Sequence, residues 1–200
     1  TQGLQGTQGL QGTQGLVGTS QWTPIITAGM LQTGSNSFKK TSSTNVFDQQ
    51  VSSREGYSRG VFVSASPLQT NANILVGLST NPVGGADPNS VTNINFAWYF
   101  DSNLVLSIYE DGTVQGGAGT FGSYTANTEV SIVYNGYEVS YYKDGVRVKT
   151  TSREIGLPLY LDSSFSTVNG ELTNVVFGPI AESFQGTQGL QGRQGLQGTQ

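Results

Sequence analysis

The chain has 200 residues, with 9 basic and 13 acidic side chains and neither histidine nor cysteine. Those two absences remove disulfides, thiolate metal sites and imidazole as a general base or ligand. A formal net charge of −4, with no basic cluster beyond Lys39-Lys40, argues against nucleic-acid binding by counterion release, and no run approaches the ~18 apolar residues of a membrane helix.

Glycine opens the chain at every third position: Gly3, Gly6, Gly9, Gly12, Gly15 and Gly18. The same period returns at Gly186, Gly189, Gly192, Gly195 and Gly198. In a collagen triple helix only glycine fits at the crowded axis, while the X and Y side chains point outward and tolerate Leu, Thr and Gln. No flank triplet contains proline, so triplets this few make a weak triple helix without a longer array or a trimerising domain. A disordered Gly/Gln linker, a bundle of polyproline-II helices within one chain and a β-solenoid are competing readings of the same period. The runs Gln2-Gly3-Leu4-Gln5-Gly6-Thr7-Gln8-Gly9 and Gln185-Gly186-Thr187-Gln188-Gly189-Leu190-Gln191-Gly192 resemble the proline-poor collagen-like repeats of tailed-phage structural proteins, marine cyanophages especially. That resemblance implies a homotrimeric virion fibre, at the virion surface or otherwise extracellular, whose repeats space out globular modules. The first residue, Thr1, falls in mid-repeat without an initiator Met or signal peptide, and the chain reads as a fragment of a longer protein.

Between the flanks, residues 20–184 form one domain-sized segment, with 1–19 and 185–200 as the repeat segments. It holds both tryptophans, all nine tyrosines and all six prolines. From Asn45 onward it reads as short strands broken by turn residues. Val61-Phe62-Val63-Ser64-Ala65-Ser66 ends at Pro67, and Ile74-Leu75-Val76-Gly77-Leu78 ends at Asn81-Pro82. Phe96, Trp98 and Phe100 alternate with Ala97 and Tyr99, as a half-buried strand requires. Leu104, Leu106 and Ile108 alternate likewise before the Glu110-Asp111-Gly112 turn. Asn135-Gly136 predicts a two-residue hairpin with positive φ at both residues, joining Val130-Ile132-Tyr134 to Tyr137-Val139-Tyr141. Asp144-Gly145 turns into Val146-Arg147-Val148-Lys149, and strands over residues 157–161 and 172–177 follow, the last stopped by Gly178-Pro179. Strands this short and closely spaced predict an all-β antiparallel sandwich or barrel.

The order of these strands, with the stretch Tyr137-Glu138-Val139-Ser140-Tyr141-Tyr142-Lys143-Asp144-Gly145-Val146-Arg147-Val148, resembles the concanavalin A-like jelly roll of lectins and glucanases. The resemblance implies two curved sheets with the first and last strands neighbours in one of them. Both flanks then leave from nearby points and the domain stands off the fibre as a knob.

The glucanase pattern Glu-x-Asp-x-x-Glu, which sets two carboxyl groups ~5 Å apart for retaining hydrolysis, is absent, and Glu110-Asp111 read as a turn, so a non-enzymatic protein with no cofactor is expected. Gly117-Ala118-Gly119-Thr120-Phe121-Gly122 matches a dinucleotide fingerprint, but a strand and not a helix follows it, which makes it a glycine-rich loop. Glycan binding stays open. Sugar sites set an aromatic platform beside amide and carboxylate partners. Tyr99 and Tyr142 are candidate platforms, because alternation turns them away from Trp98 and Tyr141; packing under a second layer or over an edge is the competing use. Asn81, Asp87, Asn89, Asn103, Phe121 and Tyr124 are loop residues expected to gather at one rim. Residues 84–89 are a candidate Ca²⁺ loop, although the legume-lectin metal set needs a histidine that this chain lacks.

Overall fold

The computed structural model describes residues 20, 22–82 and 90–180. Both Gly-X-Y flanks, both expected domain boundaries and the Ca²⁺-loop reading of residues 84–89 lie outside them, as do the site candidates Asp87 and Asn89.

The described chain is nearly all strand. In order it forms β1 (Pro24–Ile26), β2 (Met30–Gly34), β3 (Ser37–Lys40), β4 (Val51–Ser53), β5 (Val61–Pro67), β6 (Ile74–Ser79), β7 (Phe96–Phe100), β8 (Leu106–Glu110), β9 (Thr113–Val114), β10 (Val130–Tyr134), β11 (Glu138–Lys143), β12 (Val146–Ser152), β13 (Tyr160–Phe165) and β14 (Glu171–Pro179). A four-residue helix, α1 (Ser90–Asn93), precedes β7, a helical turn that the strand reading did not include. Two antiparallel sheets make the sandwich: seven strands in the order β12-β11-β10-β5-β14-β3-β2, and five in the order β13-β6-β7-β8-β9.

Period-two alternation decides the core. Val61, Val63 and Ala65 of β5, Ile132 and Tyr134 of β10, Val139 and Tyr141 of β11 and Phe177 of β14 face Ile74, Val76 and Leu78 of β6, Phe96, Trp98 and Phe100 of β7 and Ile108 of β8 in one buried cluster. Each such side chain contributes roughly 1.5–3 kcal/mol by leaving water. Trp98 bolts the sheets together: its indole meets Tyr141 edge-on at 6.0 Å and Phe121 at 5.6 Å, and Nε1 donates to the Ser131 carbonyl of the opposite sheet at 3.1 Å.

The first and last strands are not neighbours, contrary to what the jelly-roll resemblance implies. β14 lies between β5 and β3, whereas β1 pairs with β4. That small pair borders β13 through side chains: the Ser163 hydroxyl accepts from Val51 N at 3.0 Å and donates to Val51 O at 2.7 Å, and Leu161 N donates to Ser53 Oγ at 3.0 Å. The ends still meet, because Trp22 stacks on Phe38 at 5.6 Å and on Phe177 at 6.4 Å, just before β14 ends. Ile180 N then donates to Gly60 O at 3.2 Å. The described chain therefore enters and leaves at one end of the sandwich.

The outer face of the five-stranded sheet is covered. Phe47 lies on Tyr99 at 6.3 Å, and with Leu75, Ala97, Ile94 and Tyr109 they form a second small cluster. The covering segment, residues 41–50, is clasped by Lys40.

Candidate functional site

At the end where the chain enters and leaves, the strand ends part into a groove of about 1190 Å³. Its walls are residues 56–60 leading into β5, the β10–β11 turn and the segment after β12, with Pro179 and Ile180 closing one side. Tyr134, fully buried, fixes the floor. Its hydroxyl donates to the Gly136 carbonyl at 2.8 Å, with the Ile155 carbonyl as alternative acceptor at 3.2 Å, and it accepts from Ile155 N at 2.8 Å. One phenol thus ties two walls together.

The β10–β11 turn is looser than its Asn-Gly dipeptide predicts. Only Gly136 has positive φ, +102°, and the turn falls one residue late, at Gly136-Tyr137: Tyr134 pairs with Val139, and Asn135 N donates to Glu138 O at 3.2 Å. Asn135 Oδ1 accepts from Tyr137 N and Glu138 N, each at 2.9 Å, and so orders the turn from inside. Tyr137, expected in the strand with Val139 and Tyr141, is instead at the turn, 75% exposed beside the groove. Gly136 fits tightly, since a Cβ there would lie 3.3 Å from the Arg59 carbonyl.

Groove chemistry comes from four side chains. The exposed Tyr137 ring offers an apolar platform, and Asn135 Nδ2 offers two donors. Arg59 and Glu154 are exposed and make no side-chain hydrogen bond or ion pair among the described residues. Tyr57 stands behind them, 5.6 Å from Phe177, its hydroxyl pushed up by burial and then by the Glu55 carboxylate. Partial burial opposes ionisation of Glu55, but the Thr23 N–H at 2.7 Å and hydroxyl at 2.9 Å outweigh it and hold the carboxyl low. A site of this kind binds by stacking and hydrogen bonding.

Two other carboxylates near this end, Asp111 and Glu110, are engaged. Asp111 holds Arg153, whose guanidinium also lies 5.2 Å over the Phe96 ring, and accepts from Asn95 Nδ2 at 2.7 Å. Burial would raise its pKa, but the Asn95 and Arg153 contacts lower it. Glu110 accepts from Thr151 Oγ1 at 2.7 Å and faces Lys149 at 3.6 Å. Among the described residues no group of three or more His, Cys, Asp or Glu is placed to hold a metal ion.

None of the described sequence candidates lines this groove. Tyr99, Tyr124 and Asn103 do come together, around the β7–β8 turn, but for structural work. Tyr99 is half-buried under Phe47, donates to Asn73 Oδ1 at 2.9 Å, and is pushed well up by burial and then by Asp101. Tyr124 is 3% exposed and meets the Phe100 ring at 5.0 Å, while its hydroxyl donates to Asp101 O at 2.9 Å; burial, and then Asp101, push its pKa up to about 12. Asn103 is exposed but turned back, Nδ2 donating to Asp101 Oδ1 at 2.7 Å. Tyr142 sits apart on the outer face of the seven-stranded sheet, half-buried between its partners Ser131 and Arg147. Phe121 caps Trp98, and Asn81 lies in the loop after β6. The sequence signal for the groove was the tyrosine directly after Asn135-Gly136, obscured by counting it into β11. Nothing local marks Arg59 or Glu154.

No family model and no curated protein matches this chain. Solved structures do match in fold. The SPRY domain of human HERC1 aligns with a TM-score of 0.55 at 15% identity, covering 74% of this chain and 91% of that one. A second human SPRY domain aligns with a TM-score of 0.54 at 13% identity, over 74% and 94% of the two chains. The Emp47p carbohydrate recognition domain gives 0.53 at 10% identity, over 80% and 89%. At such identities the likeness concerns the fold alone. The described residues share the antiparallel jelly-roll β-sandwich fold of these domains.

Proposed function

We propose that this protein is a non-enzymatic fibre component in which a saccharide-binding knob interrupts a collagen-like stalk. The stalk reading rests on the Gly-X-Y period of the flanks, which implies a homotrimer, and their resemblance to phage collagen-like repeats implies a place at the virion surface or otherwise extracellular. The observation that carries the binding reading is the end groove. It presents an exposed Tyr137 ring beside the amide donors of Asn135 and beside Arg59 and Glu154, which are unpaired among the described residues. Stacking on one face of a pyranose and hydrogen bonds to its hydroxyls need these groups. The Emp47p domain, named for carbohydrate recognition, supports the reading by its fold. Among the described residues no carboxylate pair lines the groove, which favours binding over hydrolysis.

A glycan array probed with the whole chain tests this. The expected result is a restricted set of binders, all lost on Tyr137→Ala. An array without binders, or binding unchanged in that variant, contradicts the groove reading. Release of reducing sugar from a bound polysaccharide contradicts the non-enzymatic part.

A further inference from the structure

Resting on that saccharide reading, we infer that the groove selects an acidic saccharide, with Arg59 pairing a sugar carboxylate while Tyr137 stacks on the ring. The domain is acidic, and two cations elsewhere near this end are taken: Arg153 by Asp111 and Phe96, Lys149 by Glu110. Arg59 is exposed in the groove wall and has no partner among the described residues, although Glu154 lines the same groove. The two opposite charges are held apart instead of neutralising each other, so both remain open to a ligand.

The backbone around Arg59 is fixed, so its side chain reaches into the groove from a defined point of the wall. Gly60 O accepts from Ile180 N at 3.2 Å, and the Arg59 carbonyl abuts Gly136 of the turn. Tyr137 follows Gly136 directly, so the backbones that carry platform and guanidinium meet at one contact. A guanidinium presents two parallel N–H groups that match a carboxylate, which an ammonium does not. Glu154 and Asn135 Nδ2 supply an acceptor and donors for ring hydroxyls. Glu154 also disfavours polyanions of high charge density, which separates a uronate-type sugar from a heavily sulfated one.

The test is isothermal titration of the whole chain with three oligosaccharides of equal length: an oligogalacturonate, its neutral galactose counterpart and a sulfated galactan fragment. The expected result is tightest binding of the galacturonate, ten-fold or more over the neutral sugar, weakening as salt is raised. Arg59→Gln is expected to erase that difference, whereas Arg147→Gln, on the outer face of the seven-stranded sheet, keeps it. Arg59→Lys, which keeps the charge and loses the fork, is expected to restore only part. Thermal melting of each variant reports whether it is folded. Equal binding of galacturonate and neutral sugar, or tighter binding of the sulfated one, overturns the acidic-sugar inference and leaves the groove reading standing. A preference that survives Arg59→Gln overturns the role given to Arg59. If no saccharide binds, both fall.

Discussion

A lysine with no solvent contact is costly unless its ammonium is fully satisfied. Lys40 meets that condition through the carbonyls of Val46 at 2.7 Å, Ser166 at 2.8 Å and Phe165 at 3.2 Å, with Asp48 Oδ1 at 2.5 Å. It joins β3, the end of β13 and the segment that covers Tyr99. Lys40→Met is expected to cost about 3–5 kcal/mol in urea unfolding, because carbonyls and a carboxylate lose their shared cation. Gly77 is equally constrained, since a Cβ there would lie 1.8 Å from the Phe96 carbonyl, so Gly77→Ala must force β6 and β7 apart. A drop of 3 °C or less in melting temperature contradicts that account. The tyrosines fix the alkaline limb. Tyr124 has an ordinary pKa of 10.0 and a folded value of about 12, so its contribution is fully present below pH 10 and is lost as pH rises through 12. Tyr99 and Tyr141 are raised in the same sense, by burial first. Unfolding between pH 10 and 12 is therefore expected to release protons, and Tyr124→Phe to shrink that pH dependence; stability that is flat over the range would contradict it. Asp48 works in the opposite direction. Burial alone would raise it, but the Lys40 and Thr44 contacts hold it low, so its contribution fades as pH falls below the ordinary 3.8.

Turns show where local sequence suffices and where it does not. Asp144-Gly145, with φ of +49° and +76°, closes a two-residue hairpin between Lys143 and Val146, so the type I′ geometry belongs there. Asn135-Gly136 carries the stronger dipeptide signal yet turns one residue later, at Gly136-Tyr137, with Asn135 opposite Glu138 and the Tyr134 hydroxyl holding the Gly136 carbonyl at the groove floor. The same hydroxyl is held by Ile155, 21 residues further on, and no local window of sequence contains that tie. The two glycines should respond differently to alanine. Gly145→Ala meets nothing within 4 Å and is expected to cost only the ~1 kcal/mol of a left-handed residue. Gly136→Ala adds a clash with Arg59 O and is expected to cost more, and to weaken saccharide binding as well. Alternation revealed β5, β6, β7 and β10 nearly to the residue. It failed at Leu104, which has φ +68° and lies exposed in the turn before β8. It also gave no warning of β1 to β4, short strands stabilised by tertiary partners instead of by their own pattern.

For the whole molecule, the sandwich was legible and the site was not. The core follows from period-two patterning, whereas the groove is assembled from four segments that meet only in the fold. The sheet edges bear on assembly. β12 carries a bulge opposite Tyr141 and Tyr142 together with Arg147 and Lys149, β2 carries a bulge near Gly34, β9 has two residues, and β13 is bordered by β4. Edges blunted in this way resist strand-to-strand pairing between copies. If the flanks trimerise as proposed, the knobs hang separately. Sedimentation equilibrium with circular dichroism should then give a trimer whose collagen-like band melts before the sandwich. A single concentration-dependent transition would mean that the sandwiches hold one another. The claim that matters most is that the end groove is the ligand site, and backbone amide shifts during titration with the best array glycan test it most directly. The account predicts shifts concentrated in residues 56–60, 134–137 and 154–155, with Tyr142 and Arg147 unmoved. Shifts centred on Tyr142, or none at any residue of the groove, would contradict it.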